Sequence, residues 1–250
     1  MKGKPIWHNK DWIKSIPDLD KTHHDEIKKL AEFCDKIVEG PNSQYLKNYV
    51  LIRLGSIIEG YQKAIITTLV DNFEIKPSQV LGSNELKIDL DQLEDFDITN
   101  VTKGKLVTTA LRATNPRSLH EFFTGINKVR NFFQWFDDLA NEEIHQKDWW
   151  DFVSQTLATR NNVVHNLADV KDTPEELHAK IERMYDFASY SLYFSIINLC
   201  LLNERMEEAK EVCTNAKLRI KIDKFKSITD AHLINKAKKQ NKDQKTLDHG

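Results

Sequence analysis

Two long stretches of the chain repeat apolar residues at intervals of three and four, which places them on one side of an α-helix. The first covers residues 42–73, and the second opens at Thr173–Pro174 and runs to about residue 202. The apolar positions of the first stretch are Leu46, Val50, Leu54, Ile57, Ile58, Tyr61, Ile65 and Leu69. Only 8 glycines and 6 prolines occur in 250 residues, which disfavours a turn-rich all-β fold. We therefore expect an all-α helical bundle.

Shorter helices are expected around these two. Thr22 with Asp25 fits a helix start and Gly40–Pro41 a stop, and further helical patterns cover residues 102–114, 115–123, 127–140 and 145–166. Residues 218–222 alternate with period two and are compatible with a very short β element. We divide the chain into an N-terminal arm (1–21), a helical domain (22–210) with an insertion at about 76–140, and a partly disordered basic C-terminal extension (211–250).

The composition is that of a soluble globular protein, with 40% hydrophobic and 30% charged residues. No apolar run is long enough to cross a bilayer, and the N-terminus lacks the apolar core of a signal peptide. The three cysteines, Cys34, Cys200 and Cys213, have neither disulfide-framework nor metal-ligand spacing. We expect a cytoplasmic protein with no membrane partner and no cofactor.

The net charge of -2 conceals an asymmetry. Residues 217–245 hold 10 of the 36 lysines and arginines but only 3 of the 38 acidic residues. Such a segment is either a solvated helix with a frayed end or a contact for nucleic acid or an acidic partner. The candidate RNA-binding residues are Lys217, Arg219, Lys221, Lys224 and Lys226.

Two further segments have open interpretations. Phe132, Phe133, Trp135 and Phe136 follow Lys128, Arg130 and Asn131, and such aromatics either stack on bases or form a buried helix face. The buried face is the favoured reading. Acidic residues between positions 89 and 97 have no calcium-loop spacing, so we interpret them as a solvated face and assign no metal.

The residues that carry chemistry lie in the segment Thr159-Arg160-Asn161-Asn162-Val163-Val164-His165-Asn166. A guanidinium matches phosphate oxygens with a rigid fork of donors, and an imidazole exchanges a proton near neutral pH. On a helix, Asn161 and His165 share a face, whereas Arg160 and His165 do not. The arginine stem, a distorted helix start or a second copy of the chain must therefore close that gap.

This Arg-Asn-x-x-x-His pattern, between two helices of an all-helical chain, resembles the HEPN superfamily, and most closely its RiboL-PSP-HEPN branch. Glu59, in the early long helix, fits the glutamate that the branch tends to carry there. The similarity covers about residues 43–203. Thr159 departs from the acidic residue that many relatives have before the arginine, and the segment 76–140 and the basic extension are further departures.

The resemblance implies a metal-independent endoribonuclease in which two protomers bring their Arg–His motifs into one cleft. Attack of the RNA 2′-hydroxyl on the adjacent phosphate would leave a 2′,3′-cyclic phosphate and a 5′-hydroxyl. The implied catalytic residues are Arg160, Asn161 and His165, with Glu59, Asn162 and Asn166 in support. Relatives often act as toxins or antiphage effectors, which implies an antitoxin or defence-system partner.

Two other interpretations stay open. The chain could be a non-catalytic HEPN module that dimerises and binds RNA or a partner. It could also be a helical scaffold in which Arg160 neutralises acids and His165 is a satisfied core residue.

Overall fold

The structure is a computed structural model that describes residues 11–73, 75, 102–110 and 115–234. Within these ranges the chain is all-α, with no strand or sheet. The helices are α1 (Asp11–Cys34), α2 (Ser43–Asn72), α3 (Lys103–Ala110), α4 (Pro116–Asn127), α5 (Phe132–Ile144), α6 (Trp149–Asn166), α7 (Pro174–Leu202), α8 (Met206–Asn215) and α9 (Ile222–His232). None of the described helices combines the length and apolar character that crossing a membrane requires.

The long helices α2 and α7 form the centre of the bundle, as the apolar periodicity predicts. Helix α7 is buried almost all round from Phe187 to Cys200, with α1, α2, α4 and α5 packed against it. Its start is fixed locally, because the Thr173 hydroxyl accepts from the Glu176 N–H and the Glu176 carboxylate accepts from the Thr173 N–H. A cap of this kind contributes about 1 kcal/mol.

The aromatic residues of α5 form the core and are not available to bases. Phe132, Trp135 and Phe136 are fully buried, and Phe136 packs against Phe187 and Phe194 of α7 at centroid distances of 5.3 and 5.5 Å. The favoured buried-face reading of residues 132–136 is therefore confirmed, and the base-stacking reading of these buried rings is wrong.

Helix α1 begins earlier than the sequence suggested. We expected a start at Thr22, but residues 11–34 form one helix, with Pro17 in its second turn. That expected start is wrong, because Ile13 and Ile16 are buried and burial outweighs the one backbone hydrogen bond that proline cannot donate. The sequence of the arm also predicts that its aromatic residues Trp7 and Trp12 pack onto the body, but Trp7 and the side chain of Trp12 lie outside the described residues.

A single carboxylate ties α1 to both central helices. Asp20 Oδ1 accepts from the hydroxyl groups of Tyr61 on α2 and Tyr185 on α7, and its Oδ2 accepts from Tyr193 on α7 at 3.0 Å. The imidazole of His23 stacks on the Tyr61 ring at 4.3 Å. One acid thus accepts from three phenols, of which Tyr61 and Tyr193 are buried.

The C-terminal part of the described chain belongs to the same core. Helix α9 buries Phe225, and Trp135 Nε1–H of α5 donates to Thr229 Oγ1 at 3.0 Å. The expected β element at 218–222 is wrong, because the N–H groups of Arg219 and Ile220 donate to the buried Glu143 carboxylate and a helix starts at Ile222. Five residues of alternation are too few to specify a strand without a partner.

Parts of the segment that we treated as an insertion have ordinary helical structure. Residues 103–110 form α3, whose Gly104 N–H donates to Asp71 of α2 at 2.8 Å. Helix α4 starts where the sequence placed it, at Asn115–Pro116, with the Asn115 side chain accepting from the N–H groups of Arg117 and Ser118. The acidic residues at 89–97 and the basic residues after 234 lie outside the described part of the chain.

Candidate functional site

Helix α6 carries the Arg160–His165 segment on its last two turns. Its solvent-exposed side consists of Asp151, Gln155, Ala158, Asn162 and His165. At about 100° per residue, five positions separate Arg160 from His165 by about 140° around the helix axis. Arg160 accordingly leaves the helix toward α2, and His165 faces outward. Within one chain these two side chains do not converge.

Because Gly55 of α2 has no side chain, the Arg160 side chain can pack directly against the backbone of α2 there. A Cβ at position 55 would lie 2.9 Å from Arg160 Nε, 3.0 Å from its Cγ and 3.2 Å from its Cδ. These distances are shorter than ordinary contacts between non-bonded heavy atoms. Any side chain on residue 55 would therefore displace the arginine, so this glycine allows the guanidinium to cross the backbone of α2.

The Arg160 guanidinium is held by an amide and not by an acid. Its Nη1 donates to Asn161 Oδ1 at 3.0 Å, and its Nε–H is buried with no acceptor. The carboxylate of Glu59, one turn beyond Gly55, pairs instead with Lys63 at 2.8 Å. Among the described residues, no carboxylate pairs with Arg160. No described carboxylate therefore neutralises the positive charge of Arg160, and Glu59 does not pair with it.

His165 lies in the last turn of α6, where its side chain is exposed and makes no hydrogen bond within the described ranges. The neighbouring amides are engaged with each other, since Asn166 Nδ2 donates to Asn162 Oδ1 at 3.2 Å. The helix then ends at Leu167, which has a φ of 52° and a side chain that is 87% exposed. The imidazole is free to meet a partner from outside the protomer.

The α6 end is docked firmly onto the start of α2. Gln44 Nε2 donates to the Val170 carbonyl at 3.1 Å, and Asn48 Oδ1 accepts from the Val170 N–H at 3.0 Å. Since Val170 meets residues 44 and 48 while Arg160 meets residue 55, α6 runs antiparallel to α2. His165 is therefore presented next to the N-terminal half of α2.

Exposed apolar side chains are concentrated where α1 ends and α2 begins. Of the eight exposed large apolar side chains among the described residues, five lie in the last turn of α1, in the loop after it or in the first two turns of α2, and a sixth directly follows α6: Phe33, Val38, Tyr45, Leu46, Tyr49 and Leu167. A cavity of about 690 Å³ opens between α1 and α2, and Phe33 and Tyr49 meet edge-on at 5.6 Å in its wall. We call these six side chains the apolar end surface. Clusters of this kind mark interaction sites.

The five candidate basic residues lie elsewhere. Lys224 pairs with Glu142 near the C-terminal end of α5 at 3.1 Å, and that end leads into the N-terminal end of α6, away from His165. Lys217 lines a cavity of about 470 Å³ together with Asp20 and Tyr193. The side chains of Arg219, Lys221 and Lys226 are exposed. The structure does not bring this group together with Arg160 and His165.

Gly55 is the site feature that sequence reasoning missed. The available signal is a glycine inside an otherwise sustained helical pattern, which often marks close packing. Comparison of the chain with family models, with curated proteins and with solved structures found no match. The function therefore has to be argued from the side chains themselves.

Proposed function

We propose that this protein is a metal-independent endoribonuclease of the HEPN type that acts as a homodimer. The observation that carries the proposal is the guanidinium of Arg160, positioned over Gly55 and bonded to Asn161 Oδ1, with no carboxylate paired to it among the described residues. An exposed histidine follows on the same helix. A fixed, unneutralised cation and an exposed imidazole suit a phosphodiester when both reach the same phosphate.

The reaction follows from these groups. His165 takes the proton from the 2′-hydroxyl, whose oxygen attacks the adjacent phosphorus and forms the 2′,3′-cyclic phosphate. The bond from phosphorus to the 5′-oxygen breaks, and the protonated imidazole of His165 gives its proton to that oxygen, which leaves as a 5′-hydroxyl. Arg160 stabilises the additional negative charge on the phosphoryl oxygens, and Asn161 orients the guanidinium. DNA lacks the attacking hydroxyl and is not cut.

A dimer can bring together an Arg160 guanidinium and a His165 imidazole, which do not meet within one chain. With Arg160 and His165 about 140° apart around α6, the imidazole of one protomer has to meet the guanidinium of the other. Exposed apolar side chains give the two protomers a face to bury, and one of them, Leu167, lies two positions after His165. An interface of ordinary size buries about 1,600 Å², and Tyr49 and Leu167 are the side chains expected near its centre.

The first experiment is RNA cleavage in the presence of a chelator. We expect His165→Asn and Arg160→Ala each to lower the rate by about 10²-fold or more. His145→Asn is the matched control, because His145 is also an exposed histidine at a helix end. A strict requirement for a divalent metal, or a His165→Asn protein as active as the control, would refute the assignment.

A second experiment tests the shared cleft. Arg160→Ala and His165→Asn chains are each inactive as homodimers, but a mixed dimer contains one site with both groups intact. Co-expressed and purified with different tags, the mixed dimer should recover part of the wild-type rate. No recovery in a dimer of verified composition would mean that the groups act within one protomer or not at all.

One observation favours a second candidate, a non-catalytic HEPN-like module that dimerises and binds RNA or a partner protein. The Arg160 side chain points toward α2 and is partly buried, as in an arginine that shapes an interface. This candidate predicts that the Arg160→Ala, His165→Asn double variant binds RNA or partner at full strength and that wild-type protein never cuts.

The cellular role that fits an endoribonuclease of this type is a toxin or an antiphage effector restrained by a partner protein. Induced expression should arrest growth with wild-type protein and not with His165→Asn. Equal growth of the two strains at equal protein levels would rule out a role as a toxin or antiphage effector.

A further inference from the structure

A third cavity opens at the opposite end of α6, between α4, α5 and α6. Its volume is about 550 Å³, which is within the range of small-ligand sites. Neither Arg160 nor His165 lines it. Along the helix, Trp150 in its wall is about 22 Å from His165, at 1.5 Å per residue. It is thus a separate site, and we call it the α6 slot.

Three rings build the α6 slot. The planes of His120 and Phe133 are nearly parallel, at 11° with their centroids 5.9 Å apart, while Trp150 stands almost upright to Phe133 at 75° and 5.0 Å. Phe133 is buried, whereas Trp150 is 42% exposed. An indole that is exposed on a rigid helix offers a preformed π face with little conformational freedom left to lose.

The polar groups around these rings are hydrogen-bonding groups and not free cations. Asn131 Oδ1 already accepts from the Gln134 N–H, which leaves the Asn131 side-chain N–H groups and the exposed Gln134 amide at the rim. Asp137 accepts from the Trp149 N–H at 3.0 Å. The guanidinium of Arg117 is bonded to Glu121. The slot is therefore edged by donors and acceptors and carries no unpaired positive charge among the described residues.

His120 adds a partly exposed ring to the wall of the slot. Its Nδ1 has no hydrogen bond and no accessible surface, so a ligand in the slot does not reach this nitrogen. Burial lowers the pKa of the imidazole, so the ring adds no positive charge to the slot at pH 7.

We infer that the α6 slot binds a nucleobase. A planar nitrogen heterocycle stacks on the exposed indole of Trp150 and meets the side-chain amides of Asn131 and Gln134 with its polar edge. A purely hydrocarbon ligand would leave those groups unsatisfied, and a phosphate would meet the Asp137 carboxylate without an unpaired cation to offset it. The base belongs either to a free nucleotide or to an RNA strand that follows α6.

The test is calorimetric titration with the four ribonucleoside monophosphates, with ribose 5-phosphate as the ligand that lacks a base. A short RNA and the same RNA with one abasic position distinguish a base within a chain from a free nucleotide. We expect base-dependent binding that Trp150→Ala weakens by about fivefold or more. Trp150→Phe keeps an aromatic face and should retain most of the affinity, whereas Trp150→Leu keeps only apolar area and should not.

Two outcomes overturn the inference: ribose 5-phosphate binding as well as the nucleotides, or nucleotide and RNA affinities that are unchanged in Trp150→Ala. Gln134→Ala is a second variant whose exposed side chain leaves the fold intact, and it should change the preference among bases. His165→Asn separates this inference from the proposed function, because it abolishes cleavage and leaves base binding at the slot unaltered.

Discussion

Replacing Gly55 by alanine should have opposite effects on stability in two backgrounds. In a helix interior, alanine is favoured over glycine by about 1 kcal/mol. At position 55 the new Cβ would meet Arg160 Nε at 2.9 Å and Cγ at 3.0 Å, and overpacking of this kind costs about 1–3 kcal/mol. Gly55→Ala should therefore lower the free energy of unfolding by about 0–2 kcal/mol in the wild-type background.

In the Arg160→Ala background the arginine side chain is absent, so only the preference of a helix for alanine over glycine affects stability. The same substitution should then raise the free energy of unfolding by about 1 kcal/mol. The coupling between the two positions is thus about 1–3 kcal/mol, which urea denaturation resolves when the m-values of the four proteins agree. The displaced guanidinium should also lower the rate of RNA cleavage in Gly55→Ala.

Gly60 provides the matched control, because it lies on the same helix and a Cβ there would have no neighbour within 4 Å. Gly60→Ala should raise the free energy of unfolding by about 1 kcal/mol in both backgrounds. If Gly55→Ala behaves like Gly60→Ala, with a coupling to Arg160 below about 0.5 kcal/mol, then Gly55 does not position the arginine and the reasoning about the site is refuted.

Three further predictions concern carboxylates. Asp20→Ala should lower the free energy of unfolding by about 3 kcal/mol or more in urea denaturation, since it leaves three phenols without their acceptor; a loss below 1 kcal/mol would contradict this. Glu143→Ala should lower the free energy of unfolding by about 2–4 kcal/mol and accelerate hydrogen exchange at the Arg219 and Ile220 amides, because these lose their shared acceptor. Unchanged exchange at these two amides would contradict the prediction. Burial raises the pKa of Asp186 to about 6, so the folded state holds this proton more tightly and the contribution of Asp186 to stability falls as the pH rises from about 4 to 6. Asp186→Asn should therefore be about 1–2 kcal/mol more stable than wild type at pH 7, after allowance for partial exposure, and no more stable near pH 4; a difference that is independent of pH would refute the assignment.

The two central helices were predictable because their signals are long and local. Residues 42–73 were expected and Ser43–Asn72 is observed. The start of α7 was readable from Thr173–Pro174, since a cap and a proline at the first turn depend only on neighbours in the sequence.

The start of α1 was not predictable in the same way. Pro17 and the surrounding charges are typical of an arm, and the counter-signal consists only of Ile13 and Ile16, three positions apart. What fixes residues 11–21 as a helix is burial against the bundle and the contact of Asp20 with tyrosines 41 to 173 positions away. Contacts over such separations are not visible in local periodicity.

Some features of the candidate site could be predicted from local sequence, and others depend on contacts between distant segments. The Arg160–His165 spacing and its divergence on a helix could be read directly, and the structure has that geometry. The space at Gly55, the Glu59–Lys63 pair and the α6 slot depend on which helices become neighbours. Sequence spacing alone does not contain that information.

The position of Asp20 has a consequence for how the molecule opens. Its two oxygens are shared among hydroxyl groups from α2 and α7, so α1 cannot slide or peel away gradually past this point. Departure of α1 has to break all three bonds in one step and exposes its apolar side at once. Backbone amides around Asp20 should therefore exchange with solvent in a single cooperative event together with those of α2 and α7, while the first turns of α1 fray independently.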